Sequence, residues 1–119
     1  MASDNNPIVV QVTITPTEIT VDKPNIKANQ GRTPLIWRVA ADSTDGAQIT
    51  GVVFDSDWPN AQPKQVGHEW LVTNNNTNGS DHEIRYEYDV AGTTPLGNPP
   101  VLDPTVDNQP PPTDGTGGP

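Results

Sequence analysis

The chain has 119 residues, enough for one ordinary domain, and carries 15 acidic against 6 basic side chains, a formal net charge of −9. A negative field of this size repels phosphate backbones and anionic lipid surfaces, so nucleic-acid and membrane binding are not expected. The absence of cysteine excludes thiolate catalysis, thiolate metal sites and disulfide bonds.

The choice of apolar residues favours strands over helices. The sequence has 12 valines and 7 isoleucines against 4 leucines, together with 14 threonines. Branching at Cβ restricts the χ1 angle in a helix and suits the pleated surface of a sheet. The 14 prolines break long helices, and no stretch of ten residues has apolar side chains at helical spacing. The composition therefore predicts an all-β fold.

Alternation of apolar and polar residues marks the strands. The even-numbered residues from Ile8 to Ile14 are apolar, and so are those from Ile84 to Val90, where the residues between them are charged. A period of two predicts strands with one buried face. In chain order, the predicted strands are 8–15, 18–21, a short piece at Ile26 and Ala28, 35–40, 49–54, 66–72, 83–90 and a weaker 101–106.

Two further predictions come from turn and breaker residues. Residues 74–80 read Asn-Asn-Asn-Thr-Asn-Gly-Ser, a composition typical of turns, and are predicted to join 66–72 and 83–90 as a hairpin. Pro104 lacks a backbone donor, so the strand 101–106 is predicted to lie at a sheet edge.

Short strands separated by turns about every 8 to 12 residues predict a two-sheet sandwich. Trp37 and the Tyr86-x-Tyr88 pair fit an immunoglobulin-like antiparallel β-sandwich of 6–8 strands over 7–107, although other sandwiches and small barrels also contain such residues. No apolar residue follows Val106, and the remaining residues are rich in proline and glycine. Because nothing there offsets the entropy of ordering, 108–119 are predicted to form a disordered acidic tail.

The loop after the predicted strand 49–54 holds the candidate ligand-binding residues Asp55, Asp57 and Trp58. Carboxylates are ligands that Ca²⁺ prefers, and an exposed tryptophan can stack on a sugar. Trp58 can equally fold back to cap one end of the sandwich, and the carboxylates can be ordinary solvated turn residues. Asp42 and Asp45 precede the same strand, so they are expected at the opposite end of the sheet.

The two histidines do not form an obvious site. In the predicted hairpin, His68 and His82 lie roughly 13–20 Å apart, too far for one metal ion. His68 is expected to be partly buried and His82 to lie at a loop edge. Ser80, Asp81 and His82 are adjacent in sequence, but consecutive strand residues point to opposite faces, so Asp81 is not expected to support His82.

Two family resemblances rest on short motifs. The spacing of Ile14, Pro16, Ile19, Val21, Gly31 and Ile36-Trp37 resembles the opening strands of cupredoxin-like sandwiches. Copper binding in that family needs a cysteine, two histidines and usually a methionine near the C-terminus, and here there is no cysteine and the one methionine is Met1. That resemblance therefore implies architecture without the activity.

The same motifs, followed by Tyr86-x-Tyr88-x-Val90 and Asp103-Pro104-Thr105-Val106-x-Asn108, resemble the DP-EP family of small bacterial proteins over about 8–108. That resemblance implies a single immunoglobulin-like domain of bacterial origin with no assigned activity and no site residues.

These features predict a non-enzymatic interaction or structural module without a cofactor, which binds a protein partner or a second copy through open sheet edges. The alternative is a soluble carbohydrate- or calcium-binding domain. No signal-peptide pattern or membrane-spanning apolar run is present, so the default location is cytoplasmic.

Overall fold

The computed structural model describes residues 5–112, and all regular secondary structure in that range is β-strand. The all-β prediction is confirmed. The structure has nine strands over the described residues, more than the six to eight predicted: β1 (Ile8–Ile14), β2 (Ile19–Val21), β3 (Asn25–Ala28), β4 (Gly31–Val39), β5 (Gln48–Phe54), β6 (Lys64–Val66), β7 (Glu69–Asn76), β8 (Ile84–Thr93) and β9 (Thr105–Asn108).

The strands form a five-stranded sheet in the order β2-β1-β4-β7-β6 and a four-stranded sheet in the order β3-β9-β8-β5. Both sheets are mixed, because β1 runs parallel to β4 and β3 runs parallel to β9. The prediction of purely antiparallel sheets is therefore wrong. After β2, the chain crosses to the other sheet and forms β3. It then returns to the first sheet as β4, which lies on the side of β1 away from β2 and runs parallel to β1.

The inward faces of the two sheets form a single apolar core. Val10, Val12 and Ile14 are fully buried, as the alternation in β1 predicts. Trp37 of β4 lies edge-on to Tyr88 of β8, with ring centroids 5.4 Å apart, and its indole N–H donates to the tyrosine hydroxyl at 3.2 Å. Burial raises the pKa of Tyr88 to about 12, so this hydroxyl stays protonated at neutral pH.

The predicted strand 66–72 is in fact two strands joined by a tight turn. Val66 pairs with Glu69, which leaves Gly67 and His68 as a two-residue hairpin loop between β6 and β7. Gly67 has a φ of 63°, a left-handed conformation that glycine adopts without a steric penalty. His68 is exposed in this turn, so its expected partial burial is wrong.

The predicted hairpin across the asparagine-rich segment is also wrong. β7 continues through Asn76 and pairs with β4 and β6, whereas β8 pairs with β5 and β9 in the other sheet. The segment therefore carries the chain from one sheet to the other instead of folding it back on its neighbour.

The last strand, β9, lies between β3 and β8, so its predicted edge position is wrong. Pro104 precedes this strand, and its carbonyl accepts a hydrogen bond from the Tyr88 N–H at 3.1 Å, so its missing donor does not interrupt the sheet. β9 includes Asn108, and the Gln109 N–H donates to the Ala28 carbonyl at 2.9 Å. The start of the expected tail therefore belongs to the ordered domain, and 113–119 lie outside the described residues.

Candidate functional site

Trp58 closes one end of the core. Its ring stacks on Phe54 with a centroid distance of 3.8 Å and meets Tyr86 edge-on at 5.3 Å. The indole N–H donates to the Ala61 carbonyl at 3.0 Å, and only 6% of the residue is exposed. Of the two alternatives, the structure places Trp58 as a cap, with almost none of its ring available for stacking on a sugar.

The carboxylates proposed alongside Trp58 remain in solvent. Asp55 and Asp57 are exposed, and Asp42 and Asp45 lie before β5, at the opposite end of that strand. Asp42 accepts a hydrogen bond from the Thr13 hydroxyl at 2.9 Å. Within residues 5–112, no group of three or more histidine, aspartate or glutamate side chains converges as a metal site would require.

His68 and His82 lie apart, but His82 has a contact with Asp81 that was not expected. His68 is in the β6–β7 turn, whereas His82 lies beyond the other end of β7, just before β8. The prediction that Asp81 cannot support His82 is wrong, because Asp81 Oδ1 lies 3.1 Å from His82 Nδ1. Both belong to a bend instead of a strand, so their side chains are not forced onto opposite faces. The two side chains are 96% and 73% exposed, so this is a solvated surface contact that adds little to stability.

A row of buried asparagines replaces apolar packing at one end of the sandwich. Asn74, Asn76 and Asn78 alternate with exposed residues and continue the inward face of Val72. The composition of this segment predicts a turn, because asparagine is a turn former. The alternation of buried and exposed side chains continues from Val72, but the sequence carries no signal of it, because the exposed Asn75 is the same residue type as its buried neighbours.

Each of these asparagines links separate parts of the chain. Asn74 Nδ2 donates to Asn108 Oδ1 at 2.7 Å, and Asn76 Nδ2 donates to the carbonyls of Ala28 and Gln109, both at 3.0 Å. Asn78 Nδ2 donates to the carbonyls of His82 and Asn108 at 2.8 and 2.9 Å. Because these amide groups are satisfied internally, the row acts as a structural cross-link and offers little to a ligand.

A second polar cluster covers the outer face of the four-stranded sheet. Asp107 of β9 lies directly opposite Lys27 of β3 and Arg85 of β8. Arg85 binds its carboxylate through two nitrogens, at 2.7 and 3.0 Å, and Lys27 Nζ lies 2.8 Å from it and 3.1 Å from Glu83. The Asp107 side chain is completely buried beneath these two cations.

The Lys27 amine faces the Asp107 carboxyl group, which is the arrangement that an amide cross-link between the two side chains requires. The charges of the two groups oppose that reaction. Amide formation needs a neutral amine and a protonated carboxyl. Hydrogen bonds from Arg85 and then Lys27 lower the pKa of Asp107, and those to Asp107 and Glu83 raise the pKa of Lys27. Both groups therefore stay charged, and the cluster is a network of ion pairs around the buried Asp107 carboxylate.

An acidic patch lies beside this ion network. A hydrogen bond to Asp103, with burial and the negative charges of Asp103, Asp55 and Glu87, raises the pKa of Asp89. At neutral pH, the carboxylates of Asp89 and Asp103 repel each other.

Among residues 5–112, the most exposed large apolar side chain is Leu96, at 77%, in the connection between β8 and β9. It belongs to the four-residue turn 94–97, in which the backbones of Thr94 and Gly97 form an antiparallel bridge. The Thr94 hydroxyl donates to the Gly97 carbonyl at 2.8 Å and accepts from the Leu96 N–H at 3.1 Å. Pro95 fixes its own φ angle at the second position of the turn.

Residues of two neighbouring loops pack against the turn 94–97. Gly46 has a φ of 81° and lies so close to Pro95 that a Cβ at position 46 would be 2.8 Å from the proline Cγ. Gly97 lies near Pro16, where a Cβ at position 97 would be 3.5 Å from the proline Cβ, an ordinary contact distance. Sequence analysis did not single out Leu96, although Pro95 followed by Gly97 is a recognisable turn signal.

An apolar groove of about 380 Å³ opens on the outer side of the five-stranded sheet. Pro34 of β4, Leu71 of β7 and Val66 of β6 form its apolar sides, and Ala61 of the preceding loop closes it. Val66 is 61% exposed. Lys64 stands at the rim with no ion pair or hydrogen bond to any of the residues described. The groove cannot be predicted from any one stretch of the sequence, because its walls come from three separate segments.

Neither protein-family models nor curated proteins give a match to this chain. The part of the chain that the structure describes contains no helix of the length and apolarity needed to cross a bilayer.

Proposed function

We propose that this chain is a non-enzymatic protein-interaction module whose principal contact residue is Leu96. The observation that carries the proposal is a large apolar side chain, 77% exposed, on a turn fixed by backbone and threonine hydrogen bonds. Burying a leucine at an interface contributes about 2 kcal/mol. Because the turn is already ordered, little of that gain is lost in fixing its conformation on binding.

One of the four sheet edges among the described residues, that of β5, is partly closed by side chains. The Gln62 side-chain amide makes two hydrogen bonds to the Phe54 backbone, at 2.7 and 3.0 Å, and Trp70 Nε1 donates to the Ile49 carbonyl at 3.1 Å. These contacts occupy backbone groups of the edge strand β5 that a partner strand would use. Strand addition at β5 is therefore obstructed, whereas the Leu96 turn is open to a partner.

The immunoglobulin-like character of the sandwich is part of the same proposal. The packing of Trp37 on Tyr88 between the sheets supports it, while the parallel pairs distinguish this domain from an all-antiparallel one. Membership of the DP-EP family stays a prediction that supplies no site. The alternative carbohydrate- or calcium-binding function has no comparable supporting observation among residues 5–112.

Photo-crosslinking tests the proposal. A photoreactive apolar amino acid replaces Leu96 in one variant and Val101 in a control, since Val101 is also exposed, at 53%, but lies outside the turn. Irradiation in cells of the source organism should give discrete adducts from position 96 and none of the same mass from position 101. The absence of position-specific adducts would refute the proposal.

A further inference from the structure

We propose that the Leu96 turn of one copy inserts into the apolar groove of a second copy, so that the chain associates with itself head to tail. This inference rests on the proposed function, because it names the partner of the same turn. It requires that the turn and the groove complement each other in shape and charge and that one chain cannot join its own two surfaces.

The groove is large enough and apolar enough to receive the tip of the turn. The turn presents the four-carbon side chain of Leu96 beside the ring of Pro95, and both residues are exposed. The groove, at about 380 Å³, accommodates such a group, and Pro34, Leu71 and Val66 give it apolar sides. An anchor side chain entering a pocket of this kind is the usual arrangement at the centre of an interface.

The charges at the two surfaces are opposite. Asp45 precedes Gly46, which packs against Pro95, and Glu18 lies two residues after Pro16, which packs against Gly97. Both carboxylates are exposed, so the end of the molecule that bears the turn is negative. The groove has the cation Lys64 at its rim. A groove with a cation at its rim is suited to receive the acidic end of a second copy.

The positions of the turn and the groove make the contact intermolecular. Gly97 packs near Pro16, beyond the end of β1 at Ile14, whereas Pro34 lies beside Leu35, which pairs with the first residue of β1. Val66, at the other end of the groove, pairs with Glu69 opposite Arg38 and so lies level with Gln11 of β1. The groove is therefore about 10–20 Å along β1 from the level of the turn. Because two different surfaces meet, each added copy leaves one turn and one groove free, and the assembly grows as an open chain or closes as a ring.

The experiment compares self-association of the full chain with that of two variants changed at exposed positions. Leu96→Ser removes the inserted side chain, and Val66→Glu places a charge in the groove. Val101→Ser is the matched control. Analytical ultracentrifugation up to 1 mM protein should show a mass that rises with concentration for wild type and for the control, and at least tenfold weaker association for each of the other two variants.

Mixing the two defective variants gives the decisive result. The Val66→Glu copy retains its turn and the Leu96→Ser copy retains its groove, so an equimolar mixture should form a one-to-one dimer that does not grow further. A mixture that stays monomeric while wild type associates would overturn the head-to-tail contact.

A wild-type chain that is monomeric at 1 mM would also overturn the inference. If position 96 then crosslinks to a different protein, the proposed function stands and only the identity of the partner is wrong. If position 96 gives no specific adduct either, both proposals fail.

Discussion

Asn74 Nδ2 donates a 2.7 Å hydrogen bond to Asn108 Oδ1 and so joins β7 of one sheet to β9 of the other. Both side chains are buried, and Asn60 donates to Asn74 Oδ1 at 3.1 Å. The asparagine row is thus the polar counterpart of the Trp37–Tyr88 contact that joins the same two sheets in the apolar part of the core.

Replacing Asn74 by alanine should lower the free energy of unfolding by about 2–3 kcal/mol, because it leaves the buried amide oxygen of Asn108 without its hydrogen-bond donor and removes the partner of the half-buried Asn60. Asn75→Ala is the matched control, since its side chain is exposed and it uses only its backbone N–H toward Asn60. Urea unfolding at neutral pH measures both. Equal losses in the two variants would contradict a structural role for the buried amide.

The pH dependence of stability should reveal Asp107. The Arg85 and Lys27 contacts lower its pKa from the ordinary value of 3.8, so the carboxylate stabilises the fold above that pH. This stabilisation is lost progressively as the pH falls below 3.8 toward the pKa in the folded protein.

The variant Asp107→Asn should have a free energy of unfolding about 2 kcal/mol lower than wild type at pH 7. It should also lose less stability than wild type as the pH falls, because it lacks the carboxylate that becomes protonated. Glu18→Gln, at an exposed position, is the control. Thermal melts between pH 2 and pH 7 compare the three proteins, and an equal loss of stability at low pH in Asp107→Asn and wild type would rule out this assignment.

Asp103→Asn should stabilise the protein at pH 7 by a few tenths of a kcal/mol, because it removes like-charge repulsion at an exposed pair. The raised pKa of Asp89 gives the sign: a carboxyl with a raised folded pKa favours the folded state at low pH and loses that contribution as pH rises. Carboxyl NMR titration should show the Asp89 pKa falling toward its ordinary value. An unchanged Asp89 titration would show that Asp103 is not the cause.

Gln62→Ala should expose the backbone of Phe54 at the edge of β5. The loss of two hydrogen bonds is expected to cost about 1–2 kcal/mol, and the opened edge should raise aggregation on heating. Gln65→Ala, in the exposed strand β6, is the control. Unfolding curves and light scattering measure the two effects, and identical scattering from both variants would contradict edge protection by Gln62.

The parts of the fold that could be predicted are those in which apolar residues alternate with polar ones. β1 and β8 have this pattern, and their inward residues Val10 and Val90 are fully buried. Strand existence followed from side-chain chemistry, but the direction of β4 relative to β1 did not. Parallel pairing depends on the route of the chain between sheets, which no local pattern encodes.

Polar residues caused most of the errors. Asn76 is buried in a strand because amide partners from other segments replace water, and those partners are known only once the fold is assembled. Asp107 is similarly buried only because Lys27 and Arg85 come from two other strands. Leu96 was detectable as part of a turn, but its exposure and the groove depend on segments far apart in sequence.

The central position of β9 has a consequence for synthesis of the chain. Asn25 of β3 contacts Thr105 of β9, 80 residues later, at 2.7 Å. On the ribosome, β3 and β8 emerge before the strand that lies between them, so the four-stranded sheet is completed only after Asn108 has left the exit tunnel. Formation of these late, long-range contacts is expected to set the pace of folding.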